Sequence, residues 1–179
     1  MAEDQENGMP EPGVTCQTPR YGLSQQPRSN EARTEGFRVS DCPFCLIGQG
    51  EIDADLVAYR SKNVFVIPTL MQRANNPGHT LVLPLTHVTG LHKARSDLLQ
   101  EVFEVVARVS TAMKDAYRAV GTTITQNNDI PGQVLHHLHV HVIPRFDGDA
   151  FQMPDPGVSE APRDARLARA SLLRRALTS

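Results

Sequence analysis

Gln133-Val134-Leu135-His136-His137-Leu138-His139-Val140-His141-Val142-Ile143-Pro144-Arg145 holds four of the seven histidines of this chain. His137, His139 and His141 are separated by Leu138 and Val140. Successive side chains of a β-strand point to opposite faces. The spacing therefore predicts a strand with three imidazoles on one face and Leu138, Val140 and Val142 on the other. Imidazole is the side chain suited to proton transfer near neutral pH, and it also serves as nucleophile or metal ligand. A half-buried edge strand with a His-rich polar face and a metal-binding His tract are the plainer readings, although such tracts are usually compositional runs without interleaved aliphatics.

Upstream, Leu99, Val102, Phe103, Val106, Val109, Met113, Tyr117 and Val120 recur at helical spacing. Ser96 is the expected N-cap and Gly121 the expected terminator. Thr122 to Gln126 reads as a strand, and Asn127-Asn128-Asp129-Ile130-Pro131-Gly132 as the turn into the histidines. Before the helix, Leu56 to Tyr59 and Val64 to Ile67 form an expected hairpin, and His79 to Leu83 a third strand closed by Pro84. Strands joined by short turns around one long helix indicate an α+β domain with a mostly antiparallel sheet.

Residues 1–36 carry Pro, Gln, Glu, Ser, Asn and Gly without a hydrophobic period, the composition of a disordered N-terminal arm. The domain is expected over 37–147, and 148–179 as a linker and an Arg-rich C-terminal helix, Asp164 to Leu177. At 179 residues and 40% hydrophobic the chain suits one domain with tails. A formal net charge of −2 gives no bulk attraction for nucleic acid or anionic membrane. No apolar run approaches membrane-spanning length and no signal pattern opens the chain, so a cytoplasmic protein is expected. Two of the three cysteines are spaced as Cys42-Pro43-Phe44-Cys45, which in a cytosolic protein suggests metal or redox chemistry.

The run His137-Leu138-His139-Val140-His141-Val142-Ile143 resembles the signature of the histidine triad family, His-φ-His-φ-His-φ-φ with φ apolar. Pro77-Gly78-His79-Thr80-Leu81-Val82-Leu83-Pro84 resembles the family's Pro-Gly-His strand, and Gly132-Gln133 its Gly-Gln. The likeness runs from about Asp41 to Asp147. It implies the histidine triad fold: a mostly antiparallel five-stranded sheet with one long helix, followed here by a C-terminal helix. It implies a nucleotide hydrolase or transferase that cleaves a nucleoside monophosphate from a phosphoramidate or a dinucleoside polyphosphate. His139 would be the nucleophile and form a nucleotidyl intermediate, His141 would contact the transferred phosphate, and His137 would complete the catalytic row. His141, in place of the Gln of the dinucleotide phosphorylase branch, would favour the hydrolase branches. Gln126, Gly132 and Gln133 would bind substrate, and Phe44, Ile47 and Ile67 fall where relatives line a base pocket, though plain core accounts for them equally.

Many bacterial members open with such a Cys-x-x-Cys and bind zinc. By that resemblance Cys42, Cys45, His87 and His137 would hold a structural zinc, and no catalytic metal would be required. An AMP-like purine nucleotide and a second copy of the chain, as a homodimer through the long helix and a strand, are the implied partners; nucleic acid and membrane are not. His79 is read as structural, and His136 as partly exposed. Two positions depart from the family: Thr69 stands where an acidic or amide residue usually holds the ribose, followed by a short insertion before Pro77, and Val134 replaces a Ser or Thr near the leaving group. They support a rival class, a catalytically weak nucleotide-binding or partner-binding module. A metal-handling protein using the His row directly is the other rival.

Overall fold

A computed structural model of the chain describes residues 42–129, 132–153 and 156–178. The arm expected over 1–36 lies outside them. The described elements are α1 (Pro43–Gln49), β1 (Tyr59–Arg60), β2 (Val64–Pro68), β3 (Met71–Arg73), β4 (Thr80–Pro84), α2 (Ser96–Tyr117), β5 (Gly121–Thr125), β6 (Val140–Arg145), β7 (Val158–Glu160) and α3 (Arg163–Thr178). Five strands make one sheet in the order β1-β2-β4-β6-β5, with every neighbouring pair antiparallel. The α+β architecture and its antiparallel five-stranded sheet are those expected.

The pleat sorts the sheet into two apolar layers. Val64, Val66, Val82, Val140 and Val142 share a core with Val102, Val105, Val106, Val109, Ala112 and Met113 of α2 and with Ala170 and Leu173 of α3. Phe65, Ile67, Leu81 and Leu83 point the other way and pack with Phe44, Cys45 and Ile47 of α1. Every residue of β2 and β4 is therefore buried. Their unbroken apolar runs suit strands covered on both faces. The histidine motif lies on the α1 side. Each Val or Leu so buried contributes about 1.5–3 kcal/mol, so a charge at Val106 would undo the α2 contact.

Four boundaries differ from expectation. Leu56 ends a single 3₁₀ turn over Ala54–Leu56, and the first strand is only Tyr59–Arg60. The helix begins at Ser96 with Arg95 as N-cap, and it ends at Arg118 in the left-handed region (φ 58°). Gly121 opens β5 instead of closing the helix, because Val120 N–H already donates to the Arg145 carbonyl at 2.9 Å and draws the chain into the sheet. The strand of the motif starts at Val140, so His137 and His139 precede its ladder.

The insertion before Pro77 and the segment read as linker are not plain loops. They supply β3 and β7, which pair antiparallel as Met71 with Glu160, Gln72 with Ser159 and Arg73 with Val158. Neither run is long or periodic enough to be recognised alone, and the partner lies far along the chain. α3 is anchored beyond this ribbon: Arg163 bonds Asp55 at 2.7 Å, and the Tyr117 hydroxyl donates to the Arg169 carbonyl at 2.9 Å.

Candidate functional site

Pro43 opens α1, a position where its missing N–H costs nothing. Cys42 at the N-cap and Cys45 one turn on therefore present their sulfurs to the same side. Opposite them, Cys42 Sγ lies 3.4 Å from His137 Nδ1, Cys45 Sγ 3.5 Å from His137 Nδ1, and Cys45 Sγ 3.3 Å from His87 Nδ1. The four donor atoms of Cys42, Cys45, His87 and His137 all fall within 4.8 Å of one another. Zinc bonds of about 2.3 Å to sulfur and 2.0–2.1 Å to nitrogen, set tetrahedrally, require a sulfur–nitrogen edge of roughly 3.5 Å. The donor set fits.

Two further features match a metal. His137 is fully buried, and its Nε2 donates to the Pro84 carbonyl at 2.9 Å, which leaves the Nδ1 lone pair facing the sulfurs. Burial and the adjacent Cys42 thiol push the Cys45 thiol up to about 12. Without a cation the Cys45 thiol stays protonated; a divalent ion beside it reverses that balance. These residues could hold a metal ion.

His139, two residues along, is turned differently. Its Nδ1 lies 2.7 Å from the His137 carbonyl. A carbonyl only accepts, so Nδ1 carries the proton and Nε2 keeps its lone pair. Phe44 packs against this ring at 5.4 Å and against that of His137 at 5.8 Å. His141 meets the His139 ring edge-on at 4.9 Å, and its Nδ1 lies 2.9 Å from His79 Nε2. The row thus has a fourth member that reading the sequence treated as structural. A signal for it existed: Leu81 lies opposite His141, and His79 is two residues before Leu81, on the same face. The register was needed to see it.

Burial, above all, keeps these rings neutral. It lowers His139, opposed by the bond to the His137 carbonyl. Burial followed by the neighbouring histidine and Arg73 brings His141 to about 4 and His79 to about 3. Burial, with His87 and His139 adding to it against the Pro84 bond, brings His137 to about 4.

The other expected residues scatter. Gln133 is buried, with Nε2 donating to the Thr89 carbonyl at 2.6 Å and its Oε1 accepting from Asp129 N–H at 2.9 Å. Its carboxamide braces the loop that carries the motif. Gln126 bonds the Asn127 carbonyl at 2.6 Å and the Asn128 side chain at 2.9 Å. Gly132 is exposed, and a Cβ there would sit 3.1 Å from the Asn127 side chain. Ile47 and Ile67 belong to the α1-side core, 6% and 3% exposed, whereas Phe44 reaches the histidines. His136 is exposed, as is Val134 at 86%. Among the described residues no helix is long and apolar enough to cross a membrane.

Comparison with known proteins places this geometry. The profile of the HIT domain family matches residues 49–148. The protein named hit of Bacillus subtilis is 33% identical over 115 residues, spanning 63% of this chain and 77% of that one. An AP-4-A phosphorylase of Mycobacterium tuberculosis is 32% identical over 110 residues, 60% of this chain and 55% of its own length. An adenosine 5'-monophosphoramidase of Candida albicans is 28% identical over 113 residues, 60% and 72% of the two chains. The crystal structure of a Zn-bound histidine triad family protein from Mycobacterium smegmatis superposes with a TM-score of 0.67 at 29% identity, covering 79% of this chain and 96% of that one.

Proposed function

The chain belongs to the HIT domain family, and on that premise we propose that it transfers a nucleoside monophosphate from a phosphoramidate or dinucleoside polyphosphate through a nucleotidyl-histidine. One observation carries the proposal: His139 Nδ1 is committed to the His137 carbonyl at 2.7 Å, and Nε2 is left as a free lone pair beside His141.

In the first step a bond forms from His139 Nε2 to the α-phosphorus while the bond from phosphorus to the leaving nitrogen or oxygen breaks. The leaving group takes a proton from solvent as it departs, and the neutral His141–His79 pair at that end of the row offers an N–H hydrogen bond to the phosphate oxygens. In the second step an acceptor oxygen attacks the phosphorus, its proton passes to solvent, and the phosphorus–nitrogen bond breaks to free His139 and the nucleotide, a monophosphate where the acceptor is water and a diphosphate where it is inorganic phosphate. Water as acceptor makes the protein a hydrolase. The relative named a phosphorylase directs attention to inorganic phosphate as the other acceptor, so His141 alone does not choose between them. Gln126, Gly132 and Phe44 are the residues we assign to the AMP-like substrate, and the arrangement of Gln133 suits a supporting role beneath it.

A zinc ion held by Cys42, Cys45, His87 and His137 would be structural, because four protein ligands leave no open position. His137 then serves the site through its carbonyl. We assign the catalytic unit to residues 37–147, with α3 of the 148–179 segment completing its core. A homodimer through α2 and β5 is supported by Phe103, Val120 and Ile124, which remain exposed at 44%, 61% and 46% while Val102, Val106, Val109 and Met113 of α2 pack in the chain's own core. Sedimentation of Phe103→Glu as a monomer against a wild-type dimer tests it.

The deciding experiment is incubation with adenosine phosphoramidate and, separately, with diadenosine tetraphosphate, with and without inorganic phosphate, followed by intact-mass detection. An acid-labile adenylyl adduct mapping to His139, with AMP or ADP released, is the expected result. Saturable AMP binding with no adduct from either compound would favour the binding-module reading.

A further inference from the structure

The insertion that departs from the family pattern contains a side chain that grips the backbone on both sides of His79. Gln72 Nε2 donates to the His79 carbonyl at 2.7 Å and to the Thr69 carbonyl at 2.9 Å, and Gln72 Oε1 accepts from Gly78 N–H at 2.9 Å. Both donor hydrogens and one acceptor site of the carboxamide are used within this one loop. The location explains the need. The β2–β4 ladder ends where Pro68 faces Thr80, and proline has no N–H to offer. Beyond it the main chain keeps a single bond, Thr69 N–H to the His79 carbonyl at 3.0 Å. Gln72 supplies from its side chain what the strand end lacks.

Gly78 adds a second restraint. It sits at φ +106°, and a Cβ there would lie 2.7 Å from the Tyr117 ring. The chain entering His79 is thus pressed against α2 on one side and held by Gln72 on the other. The imidazole so placed meets His141 Nδ1 at 2.9 Å, and His141 meets His139. Gln72 is itself placed by pairing with Ser159 of β7. A continuous set of contacts therefore runs from the C-terminal segment through Gln72 and His79 to the row of rings.

We propose that Gln72 is a positioning residue, which sets the His79 imidazole against His141 and so fixes the phosphate-facing end of the histidine row, with the β3–β7 ribbon holding it in place. Gln72 touches no reacting atom in this reading. The proposal rests on the function proposed above for its kinetic consequence, but not for its structural one.

The test uses the full chain with Gln72→Met, which keeps the length of the side chain and removes all three bonds, and Gln72→Glu, which keeps the acceptor and turns a carboxylate oxygen toward two carbonyls. Ser159→Ala is the control, since it removes an exposed side chain opposite Gln72 and leaves both the backbone pairing and the carboxamide intact. Turnover of whichever nucleotide substrate is accepted is read as kcat and KM separately, alongside the nitrogen-15 shifts of the histidine rings. Displacing a reacting group by a fraction of an ångström to one ångström costs roughly tenfold to a hundredfold in rate. We expect kcat to fall by about that much in Gln72→Met and further in Gln72→Glu. KM should stay within about twofold, the His79 and His141 nitrogens should shift, and Ser159→Ala should behave as wild type. Unchanged kcat, or unchanged His79 and His141 nitrogens, would overturn the proposal. So would a loss of kcat that merely tracks a lowered melting temperature with ring shifts spread over all histidines. If the wild-type protein turns over neither substrate, the functional reading fails instead, and the nitrogen shifts alone decide the role of Gln72.

Discussion

The two ends of the histidine row are built from the same side chain and have opposite surroundings. At one end His137 is fully buried, donates Nε2–H to a carbonyl and directs Nδ1 at two sulfurs and a second imidazole. At the other, His141 is only partly buried and has a histidine as its hydrogen-bond partner. His139 lies between them and is oriented by the first end while it faces the second. The residue type is constant along the row, and the acceptor that takes the other ring nitrogen sets which lone pair is offered and to what. A carbonyl on Nε2 turns Nδ1 toward the sulfurs; a carbonyl on Nδ1 leaves the Nε2 lone pair for the nucleophilic role proposed above.

This contrast can be broken at each ring. His139→Ala should lower turnover by roughly 10⁴-fold or more and leave zinc content and melting temperature near wild type, measured by steady-state assay, elemental analysis and calorimetry. Zinc lost from His139→Ala, with turnover retained, would place the metal on the wrong residues. Cys42→Ala should do the reverse: stoichiometric zinc is lost, and stability falls by more than about 4 kcal/mol, the class of change that follows loss of a bound metal. Chemical denaturation followed by circular dichroism measures it.

A smaller loss is expected at the far end. His141→Ala should keep the zinc and lower kcat by about a hundredfold or more, as removal of one preorganised hydrogen-bond donor to the reacting group does, and a wild-type kcat would remove His141 from the mechanism. The last prediction concerns pH. In the unfolded chain the imidazoles of His79 and His141 take protons below about 6.5, but in the fold they resist until about 3 and about 4. Between these limits the unfolded state binds more protons, so stability falls as pH falls from about 6.5 toward 4. The contribution is on the order of 1 kcal/mol per pH unit for each group. His79→Gln should flatten the slope of unfolding free energy against pH in that window, and an unaltered slope would show that His79 does not titrate with folding.

Much of this was legible in particular residues. The alternation of Leu138, Val140 and Val142 with the histidines placed the two faces correctly, because side-chain parity along extended chain is local geometry. The valines of α2 announced their helix in the same way. Cys42 and Cys45 were readable as a ligand pair, and the family pattern supplied His87 and His137. Other features were not legible. Gln133 looks like a substrate amide by position, yet its carboxamide is turned inward to Thr89 and Asp129, a choice made by loop packing. The strand of the motif begins only at Val140, and the segment before it bonds the loop after β4, Leu138 N–H to the Val88 carbonyl at 2.6 Å, a pairing between distant residues.

By itself the sequence determined what short-range chemistry and periodicity can determine: the sheet-and-helix class, the row of imidazoles, the paired thiols, and the family. Tertiary structure decided the partnerships. That β3 finds β7, that Gln72 closes on His79, and that His79 reaches His141 all depend on strand register and on contacts between distant segments. Each such contact stabilises the fold only after the chain has been ordered around it, so no local stretch of residues carries its signature.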